Sequence, residues 1–211
     1  MKTIITYLFV ILSFISFSQT HNFNEDTIQK YFIELLDSMR NDLYPGIPKL
    51  EVNVNVSRAC VHHNQYMSDM QNHDLSVLIT HDEKMVIDDN KYKGNDTLMD
   101  YYFDRASHYD TDTTFSCGAE VITGDVLWLK NAETGEVVNF INNYDTNRRI
   151  AKRLLRNFKT SPPHYKIISG FKYNVIAIDV SILDGIVYIT MITGSKKEVV
   201  NGQLVFYHNV K

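Results

Sequence analysis

Three residues that could do chemistry stand far apart along the chain: His81, Glu120 and His164. About 40 residues separate each one from the next, so no local metal-binding motif joins them. If a fold brings them together, two imidazoles and one carboxylate form the His2Glu ligand set of an open, catalytic-type zinc site. Without such a fold, a histidine such as His164 is typical of a surface or capping residue.

The sequence around His164 indicates how this histidine is held. The segment Phe158-Lys-Thr-Ser-Pro-Pro-His164 joins the end of a basic amphipathic helix to two consecutive prolines. Proline fixes φ and lacks the amide proton that a helix interior needs, so we expect the helix to stop here. His164 would then lie on a rigid turn, which is a common place for functional side chains.

The two cysteines, Cys60 and Cys117, allow one disulfide bridge. A bridge is the simplest use of an even cysteine count in an exported protein. A pair of buried free thiols is the alternative, and the sequence leaves it open.

His63 has a structural interpretation, because it shares the inward stripe of a helix with Ala59 and Met67. Buried polar groups are usually hydrogen-bonded, so we expect a satisfied core histidine. The common motifs for nucleotide binding and serine hydrolysis are absent from the sequence. Ser161 in particular has no G-x-S-x-G context that would make it a hydrolase nucleophile.

Residues 1–18 are typical of a secretory signal peptide, with Lys2 before an apolar run and small residues before a cleavage site at Gln19. We therefore expect a single mature domain of residues 19–211 that is secreted or held in the periplasm or cell envelope, with no transmembrane span after cleavage. The net charge of −4 does not suggest nucleic acid as a partner.

The hydrophobic pattern predicts helices first and strands later. Helices are expected over residues 28–43, 56–70, 97–109 and 145–158, with Asn24 or Asp26 capping the first, a capping box at Thr97 opening the third and Asp145 capping the last. Strands are expected over residues 120–129, 172–183, 186–193, 199–200 and 204–206, with a type I′ hairpin turn at Asp184-Gly185. This order is typical of an α+β fold in which helices cover an antiparallel sheet.

One helix has an unusual charge distribution. The face opposite its apolar stripe carries the cations Arg148, Arg149, Lys152, Arg153 and Arg156. Such a face is usually just solvated, and the alternative is attraction to an anionic lipid or polysaccharide.

Several segments, taken in order, resemble the CAP superfamily of cysteine-rich secretory, antigen 5 and pathogenesis-related-1 proteins, whose domain is also called SCP. The similar segments are Pro48-Lys-Leu50, Ala59-x-x-x-His63-x-x-x-Met67, Thr80-His81, Asp104-Arg105-Ala106 with Tyr109, Gly118-Ala119-Glu120, and Phe158-x-x-Ser161-Pro-Pro-His164. With the opening helix that carries Glu34 and Arg40 and the closing hairpin of two strands, the resemblance covers about residues 27–194. The chain departs from the family pattern where Ala119 separates the glycine from the glutamate, and where Phe158 replaces a tryptophan.

The resemblance implies a three-layer α-β-α sandwich with a central antiparallel sheet, and a cleft that holds His81, Glu120 and His164. Ser161 falls at the fourth cavity position, where eukaryotic members have a glutamate, so three polar metal-ligand candidates remain. The resemblance favours a secreted, non-enzymatic binding domain for a small ligand, a lipid, a metal or a protein partner. The alternative is a metal-dependent hydrolase or protease in which zinc on His81 and His164 activates a water and Glu120 is the third ligand or the general base. Fold alone does not choose between them.

Overall fold

A computed structural model of the chain describes residues 23–73, 79–81, 102–112, 114–131, 133–140, 146–200 and 203–206. The helices are α1 (Glu25–Leu43), α2 (Val54–His73), α3 (Tyr102–Tyr109), α4 (Asn147–Thr160) and α5 (Pro162–Ile168). The strands are β1 (Glu51–Val52), β2 (Phe115–Val126), β3 (Trp128–Lys130), β4 (Val137–Phe140), β5 (Val175–Leu183), β6 (Ile186–Val200) and β7 (Gln203–Phe206). The expected signal peptide and the capping box at Thr97 lie outside the described residues.

The central sheet has five strands in the order β1-β5-β6-β2, with β7 also paired to β6. The β2–β6 and β5–β6 pairs are antiparallel, but β1 runs parallel to β5. The expectation of an antiparallel sheet is therefore wrong at β1, a strand of two residues whose pairing brings Glu51 opposite Val175, far along the chain. A separate pair of strands, β3 and β4, lies after β2.

Helices cover both faces of this sheet because successive strand residues point to opposite sides. On one face, Val121 and Ile189 pack with Phe32 of α1 and Phe158 of α4. On the other face, Ile192 packs with Ala59 of α2 and Ala106 of α3, and the adjacent Ile122 packs with Met67. The fold class is thus α+β, with the α-β-α layers that the sequence predicts.

The helix ends follow local chemistry, with two corrections. The Asn24 side chain accepts a hydrogen bond from the Thr27 amide and caps α1, as expected. The cap of α4 is Thr146 and not Asp145, because the Thr146 side chain accepts from the Arg149 amide. The prolines do more than stop α4, because they occupy the first turn of a new helix, α5, and His164 lies in that first turn and not on a turn between elements.

The long hairpin between β5 and β6 is confirmed. Asp184 and Gly185 have φ values of 48° and 88°, as a type I′ turn requires. A Cβ on Gly185 would lie 2.6 Å from the Trp128 carbonyl oxygen, so glycine is needed there for space as well as for conformation. The second hairpin is confirmed as an antiparallel β6–β7 pair. No helix in the described part of the chain is long and apolar enough to cross a membrane.

Candidate functional site

Glu120 lies in β2, and its carboxylate is buried against α3. Its side chain and that of Arg105 both have 0% exposure, and the Arg105 Nη2 donates to the Glu120 Oε1 at 2.8 Å. Glu120 is paired with Ile192 across the sheet, so it points to the face that α2 and α3 cover. The pair therefore ties α3 to the edge strand from inside the protein.

A β-bulge sets the direction of Glu120. The β2–β6 register shifts between Cys117 and Ala119, which pair with the consecutive residues Gly194 and Thr193. Gly118 is therefore the extra residue of β2 at the bulge. A Cβ on Gly118 would lie 2.3 Å from the Tyr173 ring, which explains the glycine. The bulge accommodates Ala119, the additional residue between Gly118 and Glu120, so that Glu120 still faces Arg105.

His81 makes the second contact of the Glu120 carboxylate. Its Nδ1 lies 2.9 Å from the Glu120 Oε2, while the His81 side chain is 47% exposed. A carboxylate only accepts hydrogen bonds, so Nδ1 carries the proton and donates. In the neutral ring, Nε2 is then the atom with a free lone pair.

His63 supports the peptide that carries His81. It is buried, as predicted for a core histidine, and its ring stacks on Tyr66 at a centroid distance of 6.1 Å. Its Nε2 lies 2.7 Å from the carbonyl oxygen of Thr80, the residue before His81. A carbonyl oxygen is an acceptor, so His63 donates this bond and fixes the backbone next to His81.

His164 reaches the same place from α5. Its ring centroid lies 6.2 Å from that of His81 and 5.6 Å from that of Phe158, which it meets edge-on. Partial burial lowers the pKa of His164, and the nearby His81 lowers it further. His164 is therefore harder to protonate than a histidine in water.

Ser161 has a different position from the other three predicted residues. It ends α4 and precedes α5, and its side chain makes no capping hydrogen bond. Its backbone carbonyl accepts from the Tyr165 amide at 2.8 Å. The structure thus brings His81, Glu120 and His164 together. Ser161 lies at the start of α5, the helix that carries His164.

Arg105 is a site residue that no chemical motif in the sequence indicates. The segment Asp104-Arg105-Ala106 was visible only as part of the family resemblance, since an arginine in a short helix is normally assigned to the surface. The adjacent Ala106, which is also buried, was the available signal. An arginine beside an apolar position on a helix facing a sheet is a candidate for a buried ion pair.

The described residues do not fit the expected His2Glu zinc site. Both Glu120 oxygens are already engaged, one by Arg105 and one by His81. A carboxylate that accepts from the second nitrogen of a histidine orients that histidine and is not itself a ligand. Among the described residues, no group of three or more His, Cys, Asp or Glu is arranged to hold a metal ion.

The expected disulfide is not formed. Cys60 of α2 and Cys117 of β2 are both free thiols, which is the alternative that the sequence left open. Cys60 is fully buried in the apolar cluster between α2 and the sheet, and Cys117 packs against the same cluster without bonding to it. Burial, with the Glu120 charge nearby, raises the pKa of Cys117 to about 12, so this residue stays protonated and unreactive at neutral pH.

Comparison with known proteins gives a match at the level of fold. No protein-family model and no curated protein sequence matches the chain. An outer surface protein of Borrelia burgdorferi is similar in structure, with a TM-score of 0.52 and 13% identity over 81% of this chain and 93% of that chain. An extracellular protein from Bacillus anthracis that contains an SCP domain gives a TM-score of 0.45 and 13% identity over 80% of this chain and 41% of that chain.

These likenesses, at low identity, concern architecture alone. The α-β-α layers are those that the resemblance implied. The chain shares its overall fold with the outer surface protein of Borrelia burgdorferi.

The buried ion pair makes a first prediction. Arg105→Met keeps most of the side-chain volume but leaves the Glu120 charge buried, so the free energy of unfolding should fall by about 3–5 kcal/mol in urea titrations. Arg153→Met is the matched control, because the Arg153 Nε also lies 2.9 Å from a carboxylate, that of Asp125, but is 42% exposed. The control should lose less than about 1 kcal/mol. Equal losses in the two variants would contradict a special role for the buried pair.

The His63–Thr80 bond makes a second prediction. His63→Phe keeps the ring but removes the donor, so the free energy of unfolding should fall by about 1–3 kcal/mol. The His81 Nδ1 proton should also exchange faster with water, as measured by NMR, because the segment that carries His81 is no longer fixed. His63→Gln, which retains a donor, should restore slow exchange. If exchange at His81 is the same in the Phe variant as in the unaltered protein, His63 does not position His81.

The histidine pair makes a third prediction, on pH. The pKa of His164 in the folded protein lies below its ordinary value of 6.5, so the unfolded chain binds the proton more readily. The contribution of His164 to stability is therefore fully present above about pH 6.5 and is lost as the pH falls toward the folded pKa.

NMR titration of the His164 ring should show this directly. In His81→Asn, which keeps a donor for Glu120 but removes the neighbouring titratable ring, the pKa of His164 should rise part of the way toward 6.5. Burial, the larger cause, remains in that variant. A His164 pKa at or above 6.5 in the unaltered protein would show that this account of the pair is incorrect.

Proposed function

We propose that this chain is an exported binding domain without catalytic activity, and that its binding site is the cleft at His81, Glu120 and His164. The observation that carries the proposal is that both oxygens of Glu120 are used within the protein. Arg105 and His81 share the carboxylate, so Glu120 orients His81 and does not meet a ligand itself.

The hydrolase alternative lacks its main chemical groups in this arrangement. A general base must reach the proton that it removes, and the Glu120 carboxylate is fully buried. A Glu–His pair can also activate a serine or cysteine nucleophile. In the described part of the chain, however, Cys117 is held as a thiol, and Ser161 is joined to the cluster only through α5.

The groups left for a ligand are the two imidazole rings. Neutral His81 offers a lone pair at Nε2, and the half-buried His164 stands beside it against the buried ring of Phe158. This pair suits a ligand that donates a hydrogen bond at neutral pH, or one that carries a negative charge when the rings are protonated. A small polar ligand, a lipid head group or a segment of a protein partner meets that description, and a metal ion would instead be bound through the Nε2 lone pair.

Export is part of the proposal. The signal-like residues 1–18 support it. The structurally similar proteins are described as an outer surface protein and an extracellular protein. Secretion or retention in the cell envelope follows for this chain as our inference.

NMR on the mature protein, residues 19–211, tests the proposal. The ring signals of His81 and His164 are followed while Zn2+, inorganic phosphate, dihexanoyl phosphatidylcholine and a random peptide pool are added separately, with His108 as the internal control. We expect at least one probe to shift both cleft signals without shifting His108, and the shift at His81 to be lost in His164→Ala. Turnover of the peptide pool and of ester substrates is measured in parallel.

Two outcomes would contradict the proposal. Turnover that His81→Ala abolishes would support the hydrolase instead. No shift at either ring with any of the four probes would remove the cleft as the binding site.

A further inference from the structure

Helix α4 carries positive charge that the fold does not explain. Its fourteen residues include six cations and no acidic residue: Arg148, Arg149, Lys152, Arg153, Arg156 and Lys159. The whole chain has a net charge of −4, so the rest of the chain, without these six charges, carries −10. The positive charge is therefore concentrated on one helix of an otherwise acidic protein.

The apolar face of α4 is fully used in folding. Ile150, Ala151, Leu154, Leu155 and Phe158 are buried in the core cluster below the helix. Two of the cations also have partners in the fold: the Arg153 Nε lies 2.9 Å from Asp125, and the Arg148 guanidinium lies 5.5 Å from the centroid of the Tyr31 ring. The remaining four cations, at positions 149, 152, 156 and 159, are exposed, and Arg149 among them also interacts within the fold.

Lys152, Arg156 and Lys159 form one row along the helix, the α4 row. The spacings of four and three residues keep them on a single side of the helix, over a length of about 10 Å at 1.5 Å per residue. Neighbouring like charges at such spacings oppose helix formation.

A charge pattern that opposes its own helix is a sign of function, because local rules of this kind are broken mainly where a binding site requires it. An anionic partner would remove the repulsion within the row. Arginine, moreover, matches the planar geometry of carboxylate and the oxygen arrangement of sulfate.

The burial of the apolar face of α4 distinguishes between two kinds of anionic partner, a membrane surface and a polysaccharide. A helix that binds a membrane surface inserts an apolar face among the lipids, but the apolar face of α4 is buried in the core. Among the described residues, the exposed large apolar side chains all lie on other elements. A straight row of charges on a convex helix fits a linear polymer better than a planar surface. We propose that the α4 row binds an anionic polysaccharide, one with carboxylate or sulfate groups on successive sugars.

The test compares charge reversals on and off the row. Binding of fluorescent heparin and of polygalacturonate to the mature protein is measured by anisotropy, with neutral dextran as the blank. Lys152→Glu/Arg156→Glu should weaken both affinities at least about tenfold, because two favourable contacts become repulsive. Lys49→Glu/Lys172→Glu changes the net charge by the same amount at exposed positions outside α4 and should change the affinity less than about threefold.

Salt supplies a second measurement. The logarithm of the binding constant should fall linearly with the logarithm of the salt concentration, and the α4 double variant should show a shallower slope. Circular dichroism checks that both variants are folded.

Three results would overturn the proposal. Equal weakening in the two double variants would mean that only net charge matters. Binding to vesicles containing phosphatidylserine, but to neither polysaccharide, would assign the row to a membrane. Equal affinity for heparin and neutral dextran would show that the charges play no part. No variant alters a residue of the histidine cleft, so these three results are independent of the binding site proposed at His81, Glu120 and His164.

Discussion

The buried pair of Arg105 and Glu120 is the interaction on which the site depends. Moving two charges out of water costs several kcal/mol each, and good geometry is required to recover that cost. Here each Glu120 oxygen has its own donor, Arg105 at 2.8 Å and His81 at 2.9 Å. The carboxylate is thus hydrogen-bonded at both oxygens inside the protein, and it fixes both α3 and the orientation of the His81 ring.

The rest of the fold brings the parts of this cluster to one edge of the sheet. The bulge at Gly118 turns Glu120 toward α3, and the proline-started helix α5 brings His164 to His81. His63, from the core of α2, fixes the Thr80 carbonyl and with it the neighbouring His81. The roles are divided: the buried groups orient the site, and the imidazole rings are the groups that bind the ligand in the proposed function.

The sequence predicted the elements that depend on local signals. The amphipathic pattern located α1, α2 and α4, and Asp184-Gly185 located the central hairpin because few other residue pairs adopt two positive φ values. It failed where the determinant is distant along the chain. The two-residue β1 pairs in parallel with β5, and no periodicity shows that. The site shows the same division. His81, Glu120 and His164 were recognisable from their residue types and their order along the chain. The bonds from Arg105 to Glu120 and from His63 to Thr80 join different elements, and the sequence does not show them. The predicted disulfide was wrong, because the number of cysteines does not say how far apart Cys60 and Cys117 lie in the fold.

The central claim is that Glu120 orients His81 and does not itself react. The position of the proton on the His81 ring tests this most directly, through nitrogen-15 shifts of the imidazole at pH 8 in the mature protein. Our account predicts that Nδ1 carries the proton, because the Glu120 carboxylate accepts it, and that Nε2 is bare and available to a ligand. A proton on Nε2 with a bare Nδ1 would mean that Glu120 receives no hydrogen bond from His81, and would contradict the account.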